Sequence, residues 1–303
     1  MNEIVKMENV SQYNSMFGLE TFHPLVSVID FSKSQQTQFI PRMSLGFYTI
    51  FLKDVNCGDI KYGRNYYDYQ EGTLVFMAPG QVISIEKKIP RPKPKGMALL
   101  FHPDLLHGTT LGHNIKNYTF FSYEVHEALH LSEKERQIII DCLSKIETEL
   151  MHAIDKHSKT LIVTNIELLL NYCVRFYDRQ FITRSNVNKD ILSRFEALLD
   201  DYFASEKPML LGLPSVKYCA DKLNLSANYL GDLIKKETGK SPLEHIQIKL
   251  INIAKERIFD MKKSVSEIAY ELGFKHPQHF SRMFKNETGF SPNEYRNEST
   301  LLN

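Results

Sequence analysis

Three short stretches of this chain have residue types and spacings that suggest metal or phosphate chemistry. In HEALH, residues His126, Glu127 and His130 have the H-E-x-x-H spacing that places two imidazoles on one helical face with a carboxylate base between them, as in zinc hydrolases. That chemistry needs a sustained helix. Ser132 opens a new capped helix two residues later and FSYEV upstream reads as extended, so a chance match at a domain hinge is expected. His102, His107 and His113 in FHPDLLHGTTLGH fit no common ligand spacing, and the intervening Pro and Gly point to an irregular surface loop. TGKS resembles the end of a phosphate-binding loop, but the position of its leading glycine is Ile234. There is no G-x-S-x-G elbow. Cys57, Cys142, Cys173 and Cys219 are dispersed without a C-x-x-C pair and are expected to be buried thiols. Neither an enzyme nor a metal or other cofactor is expected.

A binding role is open to the aromatic run YGRNYYDYQ. Tyr62, Tyr66, Tyr67 and Tyr69 combine flat apolar faces with hydrogen-bonding tips, which suits a ligand pocket as well as an edge strand or interface. The pocket candidates are Tyr48, Lys53, Tyr67 and Phe76.

Several elements must position these residues. At 303 residues and 43% hydrophobic, the chain is long enough for at least two domains. Up to about Glu124, runs such as LVSVIDF, GFYTIFL, TLVFMAP and MALLF are rich in β-branched and aromatic residues and divided by Gly and Pro, so residues 1–125 read as a compact β domain. Residues 126–187 read as helical. Ser132 and Glu135 form a capping box, followed by an apolar stripe at Ile139, Leu143, Ile146 and Leu150. Two copies of the chain could share that stripe in a homodimer; packing against the β domain is the alternative. The start, MNEIVKMENV, lacks the apolar run of a signal peptide, and TLIVTNIELLLNYCV is broken by Asn165, Glu167 and Asn171. A cytoplasmic protein without a membrane span is expected.

Residues 188–303 read as all-helical and contain a repeat. KKETGKSPLE and KNETGFSPNE begin at Lys235 and Lys285. Ahead of them, SVKYCADKL and SVSEIAYEL each give a short amphipathic helix, and a turn then leads to a second helix burying Leu230, Leu233 and Ile234, or Phe280, Met283 and Phe284. Two short helices joined by a tight turn make a helix-turn-helix. In each copy Gly239 or Gly289 can end the second helix, and Ser241 or Ser291, with Pro and Glu following, can start the next. The basic excess lies here: residues 213–296 hold 14 Lys and Arg against 10 Asp and Glu, whereas the remainder holds 23 against 26.

From roughly Asn188 to Arg296 the chain resembles the DNA-binding domain of AraC/XylS-type bacterial transcription regulators, and SVSEIAYELGFKHPQHFSRMFKNETGFSPNEYR follows that family's signature over its whole length. The resemblance implies two helix-turn-helix units, joined by one helix, in successive major-groove segments of promoter DNA. It places Asn228, Gly231 and Asp232 at the reading face of the first unit and Gln278, His279 and Arg282 at that of the second, with Lys235, Lys236 and Lys285 toward phosphates. The β half resembles the cupin-like barrel that often precedes this module, through EGTLVFMAPGQV. Val82 lies near where a metal-binding cupin would place a histidine, so the barrel is expected to sense a small molecule or to dimerise. The expectation is a regulator, with RNA polymerase a partner if it activates. The alternative is a cupin-type enzyme or protein-interaction module fused to a helix-turn-helix domain.

Overall fold

The computed structural model describes residues 4–34, 42–53, 60–61, 72–85, 96–124, 127–183 and 185–301. The chain divides into two compact units after Thr183. Tyr67 lies outside the described residues, as do His126 and Cys57.

The first unit contains strands β1 (Val5–Met7), β2 (Val26–Asp30), β3 (Arg42–Leu45), β4 (Tyr48–Lys53), β5 (Ile60–Lys61), β6 (Thr73–Met77), β7 (Val82–Ile85), β8 (Gly96–Phe101) and β9 (Leu129–His130). They form two sheets, β1-β3-β7-β5 and β2-β8-β4-β6-β9. Among the described residues no closed barrel forms, in contrast to the expected single barrel. The sheets share one core, in which Met43, Leu45 and Ile83 meet Ile29, Phe51, Val75, Met77, Ala98 and Leu100. Helix α1 (Val10–Met16), started by an Asn9 capping box, adds Val10, Tyr13 and Met16 to it.

After α2 (Thr110–Asn114), helices α3 (Glu133–Met151) and α4 (Ser158–Thr183) form an antiparallel pair, and α3 also packs on β2. The stripe expected to serve a dimer is consumed within the chain. Ile139 and Ile146 are fully buried, and Leu143 and Leu150 nearly so. Each such side chain contributes about 1.5–3 kcal/mol by leaving water, so the alternative, packing within the first unit, is what the structure has. The pair is also tied to the sheet edge. Arg179 meets the Glu135 carboxylate at 2.9 Å and donates to the His130 carbonyl at 2.7 Å. Burial pushes the Glu135 carboxyl up, but the Ser132 amide and Arg179 outweigh it and hold it below the usual range. The buried Gln180 accepts from the His130 amide at 2.8 Å and donates to the Ala128 carbonyl at 3.2 Å, so a side-chain amide serves edge strand β9 in place of a neighbouring strand. Among the described residues no helix is long and apolar enough to cross a membrane.

The second unit consists of α5 (Ser185–Ala204), α6 (Lys207–Leu211), α7 (Val216–Leu223), α8 (Ala227–Thr238), α9 (Pro242–Arg257), α10 (Val265–Glu271), α11 (Pro277–Thr288) and α12 (Pro292–Leu301). Helix α5 packs on α7, α8 and α9. The helix starts follow the local sequence. Ser241, Ser264 and Ser291 each accept from the amide of a glutamate three residues on, and Glu244, Glu267 and Glu294 each accept from the serine amide at 2.7 Å. Such reciprocal bonds satisfy amides that a helix start leaves open.

Two predictions follow from these contacts. Gln180→Leu keeps the volume but removes the partner of the half-buried His130 amide and of the buried Ala128 carbonyl, so chemical denaturation followed by circular dichroism should show a loss of about 1–3 kcal/mol for each group left unsatisfied. The second concerns pH. The Ser241 hydroxyl and amide hold the Glu244 carboxyl below its ordinary value, and the amides, then the hydroxyls, of Ser264 and Ser291 do the same for Glu267 and Glu294. Carboxyls depressed on folding stabilise the fold above their unfolded values, and that contribution disappears as pH falls through the folded ones. Converting all three to Gln should therefore lower stability at neutral pH and make little difference once pH has fallen below the depressed folded values, as read from melting temperatures across the range.

Candidate nucleic-acid interface

Within the second unit the sequence repeat becomes two helix-turn-helix units, α7–α8 and α10–α11. In the first, Cys219, Ala220 and Leu223 of α7 are buried with Tyr229, Leu230, Leu233 and Ile234 of α8. Asn224 turns the corner in the left-handed conformation at φ 58°, and Ser226 then accepts from the Tyr229 amide at 3.1 Å to start α8. In the second, Ile268, Ala269 and Leu272 are buried with Phe280 and Phe284, while Met283 is only half-buried. Its corner uses Gly273 at φ 96°, where a Cβ would stand 2.8 Å from the Pro208 carbonyl and 2.9 Å from the Gly212 carbonyl carbon. Both backbone angle and space require glycine there.

Helix α9 spans 16 residues, about 24 Å at 1.5 Å each. Ile246, Leu250, Ile251 and Ala254 are buried, whereas Leu243 in its first turn is 52% exposed although its spacing puts it in line with Ile246 and Leu250. Arg296 of α12 donates to the Lys263 carbonyl at 3.1 Å, bracing the link from α9 to α10. Tyr202 donates to the Gly212 carbonyl at 2.8 Å, holding the segment between α6 and α7.

The surface left open is polar and mostly basic. On α8, Asn228, Lys235 and Lys236 are exposed, and Gly231 and Asp232 are half-buried. On α11, Gln278, His279, Arg282 and Lys285 are exposed, with the rings of His276 and His279 5.4 Å apart. Residues 278, 282 and 285, like 228, 232 and 235, share one helical face by their three- and four-residue spacing. Within the chain, Glu287 and Glu271 are the carboxylates that Arg282 could pair with instead. Glu271 is taken by Lys263 at 2.6 Å and Arg257 at 3.8 Å, and Glu287 makes no ion pair with Arg282. Arg282 has no ion pair among the described residues, so its guanidinium stays available for a bidentate acceptor outside the chain.

The other candidates are dispersed. Pleating puts Tyr48 and Phe76 on the face of β4 and β6 turned away from the inter-sheet core, where Tyr48 stacks on Phe101 at 5.0 Å and Phe76 packs on Phe120 at 4.4 Å and Tyr177 at 6.1 Å. Burial raises the Tyr48 phenol. Lys53, buried, falls by strand parity on the opposite face with Thr49 and Phe51. Glu127 accepts from the Glu124 amide, and Leu129–His130 is a strand, so the helix required by the HEALH spacing does not form. His102 caps a 3-10 turn by accepting from the Asp104 amide at 3.2 Å, and His107 faces Asp104 at 3.7 Å.

Two residues the repeat contains had no role assigned from sequence. Thr238 donates to the Ile234 carbonyl at 2.8 Å and accepts from the Lys240 amide at 3.2 Å; Thr288 repeats both bonds to Phe284 and Phe290 at 2.7 and 3.3 Å. Their recurrence fifty residues apart was the available signal.

Residues 219–298 match the helix-turn-helix domain family. An uncharacterized transcriptional regulatory protein, YesN, of Bacillus subtilis (strain 168) is 41% identical over 91 residues, 28% of this chain and 25% of that protein. The HTH-type transcriptional activator RhaS of Citrobacter koseri is 30% identical over 139 residues, 45% of this chain and 47% of RhaS. The chain thus spans a quarter to about half the length of these relatives. A crystal structure of a transcriptional regulator with an AraC-type DNA-binding domain, from Chromobacterium violaceum, is 24% identical, with 36% of this chain and 92% of that one covered at a TM-score of 0.32. The C-terminal part of the chain, with its two helix-turn-helix units in tandem, thus matches a helix-turn-helix domain family and is similar there to parts of transcription regulators.

Proposed function

We propose that the chain is a transcription regulator that binds promoter DNA through both helix-turn-helix units and whose N-terminal unit adjusts that binding in response to a small molecule. The observation that carries the first part is the pair of second helices with exposed cations, above all Arg282, which no carboxylate among the described residues engages. Lys235, Lys236 and Lys285 on the same helices supply phosphate contacts, which add affinity and salt dependence but no sequence information. The effector part is supported by the inner face of β4. Thr49 Oγ1 is buried without a hydrogen-bond partner among the described residues, on the same face as Lys53. A stranded hydroxyl in an apolar core costs about 1–3 kcal/mol, which a polar ligand atom between the sheets would offset. Binding as a homodimer belongs to this reading, with an interface other than the buried α3 stripe. RNA polymerase is the further partner if the regulator activates.

The two heads are unequal in this reading. Arg282 can hold guanine O6 and N7 together, a contact that discriminates by about 1–3 kcal/mol. At the corresponding position α8 carries Asp232, which repels phosphates and can at best accept from a cytosine amine. Arg282→Ala should weaken binding to the operator and relax preference at one base pair, whereas Asp232→Ala should leave affinity unchanged or raise it. Fluorescence anisotropy at fixed salt, against matched and single-base-changed operators, measures both. Loss of specific binding in Asp232→Ala, with preference intact in Arg282→Ala, would sink the assignment.

A further inference from the structure

Gly231 lies in mid-helix in α8, half-buried, on the face between the exposed Asn228 and Lys235. A glycine in a helix is destabilising relative to alanine, because it has the most backbone freedom to lose. The usual structural reasons for it are missing at this position. Gly231 is not among the positive-φ glycines, and a Cβ built on it would meet no heavy atom within 4 Å. The other glycines of the domain differ. Gly239 and Gly289 end helices at φ 76° and 84°, and Gly273 is both left-handed and crowded. Nothing among the described residues therefore calls for glycine at 231. What its missing side chain leaves is a notch in the open face of a DNA-reading helix, with Asn228 one turn before it and Lys235 one turn after. At the corresponding place α11 carries Ser281.

We propose that Gly231 is the point of closest approach between α8 and DNA, the notch receiving the C5-methyl group of a thymine in the major groove. A bare Cα with its flanking backbone is the lowest apolar surface a helix can offer, and contact with that methyl group is one of the ways a sequence is read directly. Close approach also answers a problem of reach. Asn228 is a short side chain that can pair with a base edge only if the helix lies deep in the groove, and a side chain at 231 would hold the helix away. Lys235 then sits at the flank, where a longer, flexible cation reaches phosphate. The first head thus reads by shape and contact where the second reads with Arg282.

This inference rests on the DNA-binding reading above, and the experiment separates the two. The full chain, as wild type and as Gly231→Ala and Gly231→Val, is titrated with an operator recovered from genomic fragments by the wild type. Gly231→Ala should melt at a higher temperature than wild type yet bind the operator about tenfold more weakly, and Gly231→Val should bind more weakly still. Replacing the contacted thymine with uracil should weaken the wild type and leave the alanine variant almost unaffected. An alanine variant that binds like wild type, or a wild type indifferent to every thymine-to-uracil change in the operator, overturns the proposal while leaving the DNA-binding function intact. A wild type with no salt-dependent affinity for DNA overturns both.

Discussion

The exposed face of the two helix-turn-helix units depends on where four helices stop and start. A helix leaves amides open at its start and carbonyls open at its end, and buried or crowded ends must find partners for them. Here the partners are supplied within a few residues. Thr238 and Thr288 bridge the last turn of α8 and α11 to the residue beyond the glycine, and Ser241 and Ser291 begin the next helix with a glutamate in return. These bonds fix the length of each recognition helix and the direction in which the chain leaves it. Because α9 is started this way and is 16 residues long, the separation between the heads becomes a property of backbone geometry. Exposed side chains such as Asn228 and Arg282 make no bond that holds the fold among the described residues, which is the condition for using them on a ligand.

The two heads solve the corner between their helices differently. Asn224 takes the left-handed conformation with its side chain in place, whereas at the second corner Gly273 is pressed against the backbone of Pro208 and Gly212. The second corner is therefore also a packing contact with the α6 segment, and Arg257 and Lys263 on Glu271 add charge pairing beside it. That head is held by more than its own two helices. Small displacements of α6 or of the α9–α10 connection are coupled to its corner by hard backbone contact, with no flexible side chain to absorb them.

Local features were legible in the sequence, and long-range ones were not. The fifty-residue repeat, the capping serines and glutamates and the glycine helix ends act over three or four residues, so their spacing alone specifies them. Residues such as Tyr48 and Lys53 show the contrast. Both lie on β4, and alternation says that they face opposite ways, yet which way is inward depends on a second sheet and a helical layer contributed from elsewhere in the chain. The stripe at Ile139, Leu143, Ile146 and Leu150 was visible as apolar, but an apolar stripe does not say whose surface covers it. The cover is α4 and β2, fixed by Arg179 reaching Glu135 and by Gln180 reaching β9 across about fifty residues. Gln180 carried no pattern, since one buried amide has no periodicity.

The difference between the heads is best understood as a difference in what each can lose. In the proposed DNA-binding reading, the long cation of Arg282 needs no close fit of the helix to the groove, so α11 would discriminate bases while tolerating some play in its seating. Helix α8 has Asp232 at the equivalent place and so lacks that reach. Its cations, Lys235 and Lys236, lie in the last turn, where they also complement the negative end of the helix. On the proposed reading, a head with short polar side chains at its front and charge at its back would gain from DNA mainly through shape. Because the two are joined by a helix and not by a flexible linker, seating one restricts the positions open to the other, and under the proposed reading the Arg282 head would set the register in which the Gly231 head must fit.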